Sequence, residues 1–239
     1  MIVTLNELLP DARREGYAVG LFNTTDTDML EAVISAAEAE RSPVIIGTAE
    51  ILLPYGELSL IAPAMVAAAK AAGIRTSVDL ISEPSDRYKT AVLPALPYID
   101  ILIINELEAS AITGIKIEGT PTASALNAIT EKLLALGVRE KVILHCPAMG
   151  VIHDKENGFL AVPSLDLPRD YIVGTTGAGD AFCAGALYAL THGYTDEELL
   201  RLASLTAAAS LGAADAVGGM LPLGELDSLE KRFGRKELL

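Results

Sequence analysis

The chain of 239 residues has no tryptophan, and aromatic side chains make up only 5% of it. Its core must therefore be built from Ala, Leu, Ile and Val, the residues of parallel sheets covered by helices. At 51% hydrophobic residues the material for a substantial core is present. Cysteine is equally scarce. Cys146 and Cys183 lie far apart and outside any C-x-x-C pair, which excludes a disulfide framework and predicts reduced thiols in a cytoplasmic protein. Basic residues are outnumbered 18 to 32, leaving a net charge of -14. That excess argues against nucleic acid or an anionic membrane as a partner. No apolar run is long enough to read as a membrane span, and the opening MIVTLNELLPDARREG is too charged for a signal peptide. No Pro/Gly/Ser-rich linker divides the chain.

What is present is an alternation. Residues 4–15 read as an amphipathic helix, 17–23 (YAVGLFN) as a strand, and 26–40 as a helix capped by Asp26 or Thr27. Strands follow at 43–48, 74–80, 99–105 and 141–146, with helices at 59–72, 86–96, 106–113 and 121–136 between them. Residues 150–162 read as a hairpin turning at Glu156-Asn157-Gly158, and helices at 178–192 and 195–213 complete the pattern. Such alternation predicts one α/β domain over 1–239, with a doubly wound, mainly parallel sheet, helices on both faces and an antiparallel edge. The strands 17–23, 43–48, 74–80 and 99–105 are expected in a single sheet.

The stretch GTTGAGDAFCAG, Gly174 to Gly185, carries the chemistry. Three glycines lead into a helix, so backbone N–H groups and the positive end of a helix dipole face whatever anion enters. Asp180 stands at the junction, able to take a proton or simply to cap the helix.

From about Ala69 onward the chain resembles the PfkB, or ribokinase-like, carbohydrate kinases. The resemblance rests on AKAAGIRTSVDLISEPSDRY, YIDILIINELEAS and GTTGAGDAFCAG, in that order. It implies a ribokinase-like fold, an anion hole at Gly177, Ala178 and Gly179, and Asp180 as general base on a sugar hydroxyl. Asn105 and Glu108 match the family's N-x-x-E motif and, on the resemblance, help organise Mg2+ around ATP phosphates. Their spacing of three places both on one side of a helix start; the alternative for Glu108 is an ordinary solvated helix carboxylate. Gly174 departs from the Asp or Asn of many members, which puts a cation site near this loop in doubt but not the anion hole.

The first 70 residues differ. MIVTLNELLPDARREGYAVGLFN and ERSPVIIGTAEILLPYGELSLIAPAMVAAAK resemble the first two βα units of a class II fructose- or tagatose-bisphosphate aldolase, a zinc-dependent barrel family. The pattern stops before that family's histidine-rich segment. The histidines here, His145, His153 and His192, all lie in the kinase-like part, so neither a zinc site nor aldolase activity is expected. Asn23 and Glu50, at the ends of aldolase-like strands, read as remnants. The two resemblances meet in MVAAAKAAGIRTSV, an Ala/Lys-rich helix and strand that suit both families and keep a buried stripe of Ile61, Met65, Ala68 and Ala72.

A splice inside a helix reads as a recombination of fragments, engineered rather than natural. The part retained handles phosphate; the sugar-selecting strands and lid that the resemblance implies elsewhere have no counterpart. The expectation is a chimeric α/β scaffold, monomer or homodimer, that binds a nucleotide, phosphate or sulfate, takes Mg-ATP weakly, and has little or no turnover. A working sugar or nucleoside kinase is the first alternative, and a non-catalytic binding or dimerising module the second.

Overall fold

The computed structural model describes residues 5–24, 26–47, 75–80 and 92–238. The expected helix at 59–72 with its buried stripe, Glu50, and the first part of the expected helix at 86–96 lie outside them. The chain divides into two compact units, Met1–Thr76 and Ser77–Leu239. The division falls within the segment where the two resemblances meet.

In the first unit, helix α1 (Leu5–Glu15) precedes strand β1 (Gly20–Asn23), helix α2 (Thr27–Ala39) and strand β2 (Val44–Gly47). Asp26 is the N-cap of α2, its carboxylate accepting the Met29 N–H at 2.7 Å, which satisfies one of the donors a helix start leaves unpaired. β1 and β2 pair in parallel, Gly20 opposite Val44, in a two-stranded sheet of their own.

The second unit holds a five-stranded sheet in the order β3-β4-β5-β6-β7: Ser77–Asp79, Ile101–Asn105, Lys141–His145, Met149–Asp154 and Gly158–Pro163. β3, β4 and β5 run parallel, and β6 and β7 form the antiparallel edge. The single sheet expected across 17–23, 43–48, 74–80 and 99–105 is thus corrected: among the described residues the strands fall in two sheets, since the backbone hydrogen bonds of β1 go to β2 and those of β3 to β4, with no ladder joining the two pairs. The sheet of the second unit is mixed, since only residues 146–148 join β5 to β6, too few for the crossover that a parallel neighbour needs.

Alternation along each strand loads both faces. Leu102, Ile104, Val142, Leu144 and Val151 point to one side, where helices α3 (Glu106–Thr113) and α4 (Ala123–Ala135) bring Ile112, Leu126, Ile129 and Leu133. Ile101, Ile103, Ile143 and Ile152 point to the other, against α5 (Ala178–Thr191), α6 (Asp196–Ser210) and α7 (Asp227–Phe233). Helix α7 had no counterpart in the sequence reading. Gly185 lets α5 and α6 approach closely: a Cβ there would lie 2.9 Å from Ala203 Cα. Lys141, at the start of β5, is pinned between Asp154 (3.1 Å) and Asp196 (2.7 Å) and ties the hairpin to the start of α6.

Candidate functional site

Three adjacent strands of the second unit close on a polar residue: Asp79 ends β3, Asn105 ends β4 and His145 ends β5. Asn105 and His145 stand opposite each other in the register. The carboxyl ends of parallel strands are where open α/β sheets hold ligands, since the strands stop there and loops diverge.

Asn105 begins α3. Its side-chain oxygen accepts the N–H groups of Leu107 (3.0 Å) and Glu108 (2.9 Å), and Glu108 reaches back to the Asn105 N–H (3.1 Å). This reciprocal cap explains the N-x-x-E spacing in local terms. Glu108 is buried, at 3% exposure, and is not a solvated helix carboxylate.

The glycine loop is shaped by two close approaches. A Cβ on Gly174 would lie 2.8 Å from the Ala213 carbonyl oxygen, and one on Gly177 would lie 2.5 Å from Ala216 Cβ. Gly177 also has φ of 82°, in the left-handed region that favours glycine. It is the N-cap of α5 and carries no capping side chain; Asp180 sits in the first turn and does not cap. Ala181 N–H makes the first intrahelical bond, to the Gly177 carbonyl at 2.8 Å, and Ala178 N–H turns to Thr175 at 3.3 Å. The amides of Gly177, Gly179 and Asp180 precede any intrahelical acceptor. Of the three residues expected to form the anion hole, Gly177 and Gly179 therefore present amides, whereas that of Ala178 is engaged.

The charges near this turn are mostly negative. Asp79 keeps an open side to solvent, yet its carboxyl is pushed up to about 6, first by partial loss of water and then by Glu108 and Asp180. The Cys183 thiol, one helical turn after Asp180, hydrogen-bonds to Asp79 and works against that rise. The thiol itself is pushed up to about 12 by burial, by the charge of Asp79 and its hydrogen bond to it, and by Asp180. Glu106 is raised, by burial first and Glu108 second. His145 is held near 4 by burial alone, so its ring is neutral, and it lies tilted on Phe182 at 4.7 Å between centroids.

Sequence reasoning chose Asn105, Glu108 and Asp180, and the electrostatics of Asp79 bring Glu108 and Asp180 to one neighbourhood. It missed Asp79, His145 and Cys183. A signal existed for two of them: Asp79 and His145, like Asn105, each follow an apolar strand as its last, polar residue. His153 and His192 lie elsewhere, His153 against Thr130 and His192 stacked on Tyr188 at 3.9 Å. Among the described residues no group of three or more His, Cys, Asp or Glu side chains could hold a metal ion, and no helix is long and apolar enough to cross a membrane. Two clefts, of about 320 and 440 Å³, lie beside α6 and along β7, and none of the residues above lines them.

The architecture and the placement of this turn define a ribokinase-like α/β protein. Its fold is similar to that of a ribokinase from Arabidopsis thaliana solved with ribose and ATP, with a TM-score of 0.59 and 26% identity over 72% of this chain and 52% of that one. It is also similar to a 2-dehydro-3-deoxygluconokinase from Thermotoga maritima, with a TM-score of 0.59 and 18% identity over 82% of this chain and 62% of that one. The pfkB family carbohydrate kinase model matches residues 22–222, and the chain belongs to that family. The match begins well before Ala69 and overlaps the aldolase-like stretch. The chain is also similar to curated aldolases. A fructose-bisphosphate aldolase from Thermus caldophilus is 41% identical over 80 residues, 34% of this chain and 26% of that protein. A 6-phospho-5-dehydro-2-deoxy-D-gluconate aldolase from Bacillus subtilis is 45% identical over 53 residues, 22% of this chain and 18% of that protein. The chain thus spans about half the length of the ribokinase and about a quarter and a fifth of the two aldolases. Both ancestries are present, as in a chimera of aldolase and PfkB parts.

Proposed function

We propose that this chain is a recombined, engineered α/β scaffold that binds the phosphates of a nucleotide weakly at the start of α5 and transfers phosphate slowly or not at all. The observation that carries the reading is the uncapped, glycine-lined helix start at Gly177–Gly179, beside His145 and with Asp79 in electrostatic reach of Asp180. Amides without acceptors and the helix dipole favour a phosphate oxygen there. Val173 and Val217, 61% and 74% exposed, lie next to Gly174 and to Ala216, the residue facing Gly177, and offer an apolar margin for a base.

Asp180 is the group that would take a proton from an attacking hydroxyl. Phosphoryl transfer also needs that hydroxyl held in line at attack distance. The chain matches about half of the ribokinase solved with ribose and ATP. The rise of Asp79 comes first from loss of water and only then from repulsion by Glu108 and Asp180, and it is this second part that a hard dication would relieve. Asn105 and Glu108, on the resemblance, would stand in the outer shell of Mg2+, which when bound would neutralise phosphate charge.

Titration of the full chain with Mg-ATP and Mg-ADP, followed by a phosphotransfer screen over common sugars, tests the reading. Binding without transfer supports it. Transfer to a defined sugar favours the functional kinase, a reading that family membership over residues 22–222 also supports. The absence of both favours a binding or dimerising module, for which sedimentation would separate monomer from homodimer. Any residual transfer should fall on the order of 10²–10⁴-fold in Asp180→Asn, the usual loss for a general base. We further propose that residues 1–239 act as one α/β domain; a single cooperative unfolding transition supports this and two resolved transitions oppose it.

A further inference from the structure

The sheet of the second unit ends at β7, and among the described residues no strand pairs with its outer side. The pairing of β6 with β7 sets which backbone groups face outward. Ser164 N–H donates to the Ala148 carbonyl at 2.9 Å, so the ladder bonds alternate from there through Gly150–Val162 and Ile152–Leu160. Phe159 and Ala161 therefore turn their N–H and C=O groups away from β6. Past Pro163 the chain covers the edge itself. Asp166 N–H donates to the Gly234 carbonyl at 3.1 Å, Lys236 N–H to the Ser164 carbonyl at 3.0 Å, and the Arg235 guanidinium to the Pro163 carbonyl at 2.6 Å. Among the described residues that cover stops at Pro163. The cleft of about 440 Å³ follows the uncovered part, its walls including Leu160, Val162, Glu197, Arg201, Glu230 and Arg235.

An open strand edge invites pairing with another chain, and proteins usually blunt it with lysine, proline or a bulge. GFLAVP carries no charge, and its proline stands at the last position. Charge and register both select a second copy of this chain as the occupant. The net charge of -14 makes two copies repel over most of their surface. This cleft sets Arg201 and Arg235 against Glu197 and Glu230 and adds nothing to that repulsion. A two-fold axis at Leu160 would place Phe159 of each copy opposite Ala161 of the other. Each such pair exchanges two hydrogen bonds, so every outward N–H and C=O of Phe159 and Ala161 gains a partner. Pro163, which has no N–H, falls outside the ladder. Leu160 meets its own copy in a non-hydrogen-bonded pair, where side chains come closest.

We propose that β7 is a self-association edge, two copies pairing their β7 strands antiparallel about Leu160 and joining their five-stranded sheets into one continuous sheet. The inference is independent of the phosphate-binding reading. Leu160 and Val162 already pack toward α6 and α7 and Phe159 and Ala161 toward the opposite face, so pairing extends both packed faces without turning a side chain over.

Sedimentation velocity of the full chain over a concentration series tests this. Monomer should give way to dimer, and added salt should favour the dimer by screening the net charge. Ala161→Pro removes an outward N–H and leaves the β6 ladder intact, and should raise the dissociation constant about tenfold or more. Leu160→Lys sets two like charges at the axis and should weaken the dimer as well. Urea midpoints of both variants separate lost pairing from lost folding. In Leu160→Cys the two new thiols face each other and should cross-link the dimer under mild oxidation, whereas Leu223→Cys, exposed but away from β7, should not; Cys146 and Cys183 are buried. If neither Ala161→Pro nor Leu160→Lys folds, this cross-link decides alone. A chain that stays monomeric at every concentration overturns the inference, whether its Phe159 and Ala161 amides exchange freely or are protected by another part of the chain. A dimer that both substitutions leave unchanged, and that Leu160→Cys does not cross-link, is joined elsewhere and overturns it too.

Discussion

β1 and β4 are built to one recipe. Each is a short parallel strand closing on asparagine, GLFN and ILIIN, and each leads to a helix with a side-chain cap, Asp26 for α2 and Asn105 for α3. Their burial is opposite. All of β1 is exposed, with Leu21 at 58% and Phe22 at 52%, whereas Ile101 to Ile104 are at 4% or less. Among the described residues of the first unit only Ala12 and Thr24 are buried. The second unit packs helices on both faces of its sheet. Propensity and capping form a strand and start a helix; covering both faces of a sheet is what removes apolar area from water.

The largest effect expected from this contrast is in the core. Leu144→Ala should cost roughly 2–5 kcal/mol, and Leu21→Ala should stay within about 0.5 kcal/mol, both read from urea denaturation midpoints. Equal losses would break the comparison. Next is the buried ion cluster of the second unit. Lys141→Met leaves Asp154 and Asp196 facing each other without their cation and should cost about 3 kcal/mol. A loss as small as that of a surface pair would mean that water reaches the cluster.

A third effect depends on pH. His145 is held near 4, below its ordinary 6.5. Between these values the unfolded chain binds a proton that the native state does not. The contribution is fully present above 6.5 and is lost as pH falls toward 4, by on the order of 2 kcal/mol once partial solvent access is discounted. Asp79 acts oppositely: raised from 3.8 to about 6, it makes the native state bind the extra proton, so its contribution shrinks as pH rises through that window. Stability measured from pH 4 to 7 should therefore rise more steeply with pH in Asp79→Asn than in the parent, and more gently in His145→Phe. Parallel profiles would contradict both environments.

A smaller effect sharpens the first unit. Thr24 is fully buried and its hydroxyl has no hydrogen-bond partner among the described residues, although its N–H bonds the Gly47 carbonyl at 2.8 Å. Thr24→Val removes the unpaired hydroxyl at constant shape and should stabilise by about 1 kcal/mol; a loss of stability would show that the hydroxyl has a role. Smallest is Asp180→Asn. An exposed residue that does not cap its helix should change stability by less than about 0.5 kcal/mol, so its effect belongs to chemistry alone.

Local signals in the sequence located most elements to within a few residues. Strong apolar runs such as ILIIN and KVILH announce strands, and Asn105, Thr122 and Thr195 begin helices because their side chains satisfy the first free amides. Helix α7 was not legible, since DSLEKRF has seven residues and a single buried side chain, Leu229. The candidate site was half legible. Gly177, Gly179, Asp180, Asn105 and Glu108 sit in short motifs whose spacing carries their meaning. Asp79, His145 and Cys183 sit in no motif; their significance comes from neighbours tens of residues away, and one-dimensional spacing does not record such distances.

The sequence by itself determined the alternation of strands and helices, the caps, the glycine turn and the double ancestry, because each depends on residues adjacent in the chain. The tertiary structure decided which strands share a sheet, that Glu108 is buried while Asp180 is open, and that Asp79, Cys183 and His145 border the same turn. Those outcomes depend on hydrogen bonding between distant strands and on water excluded by packed faces, and neither is a property of any local stretch of residues.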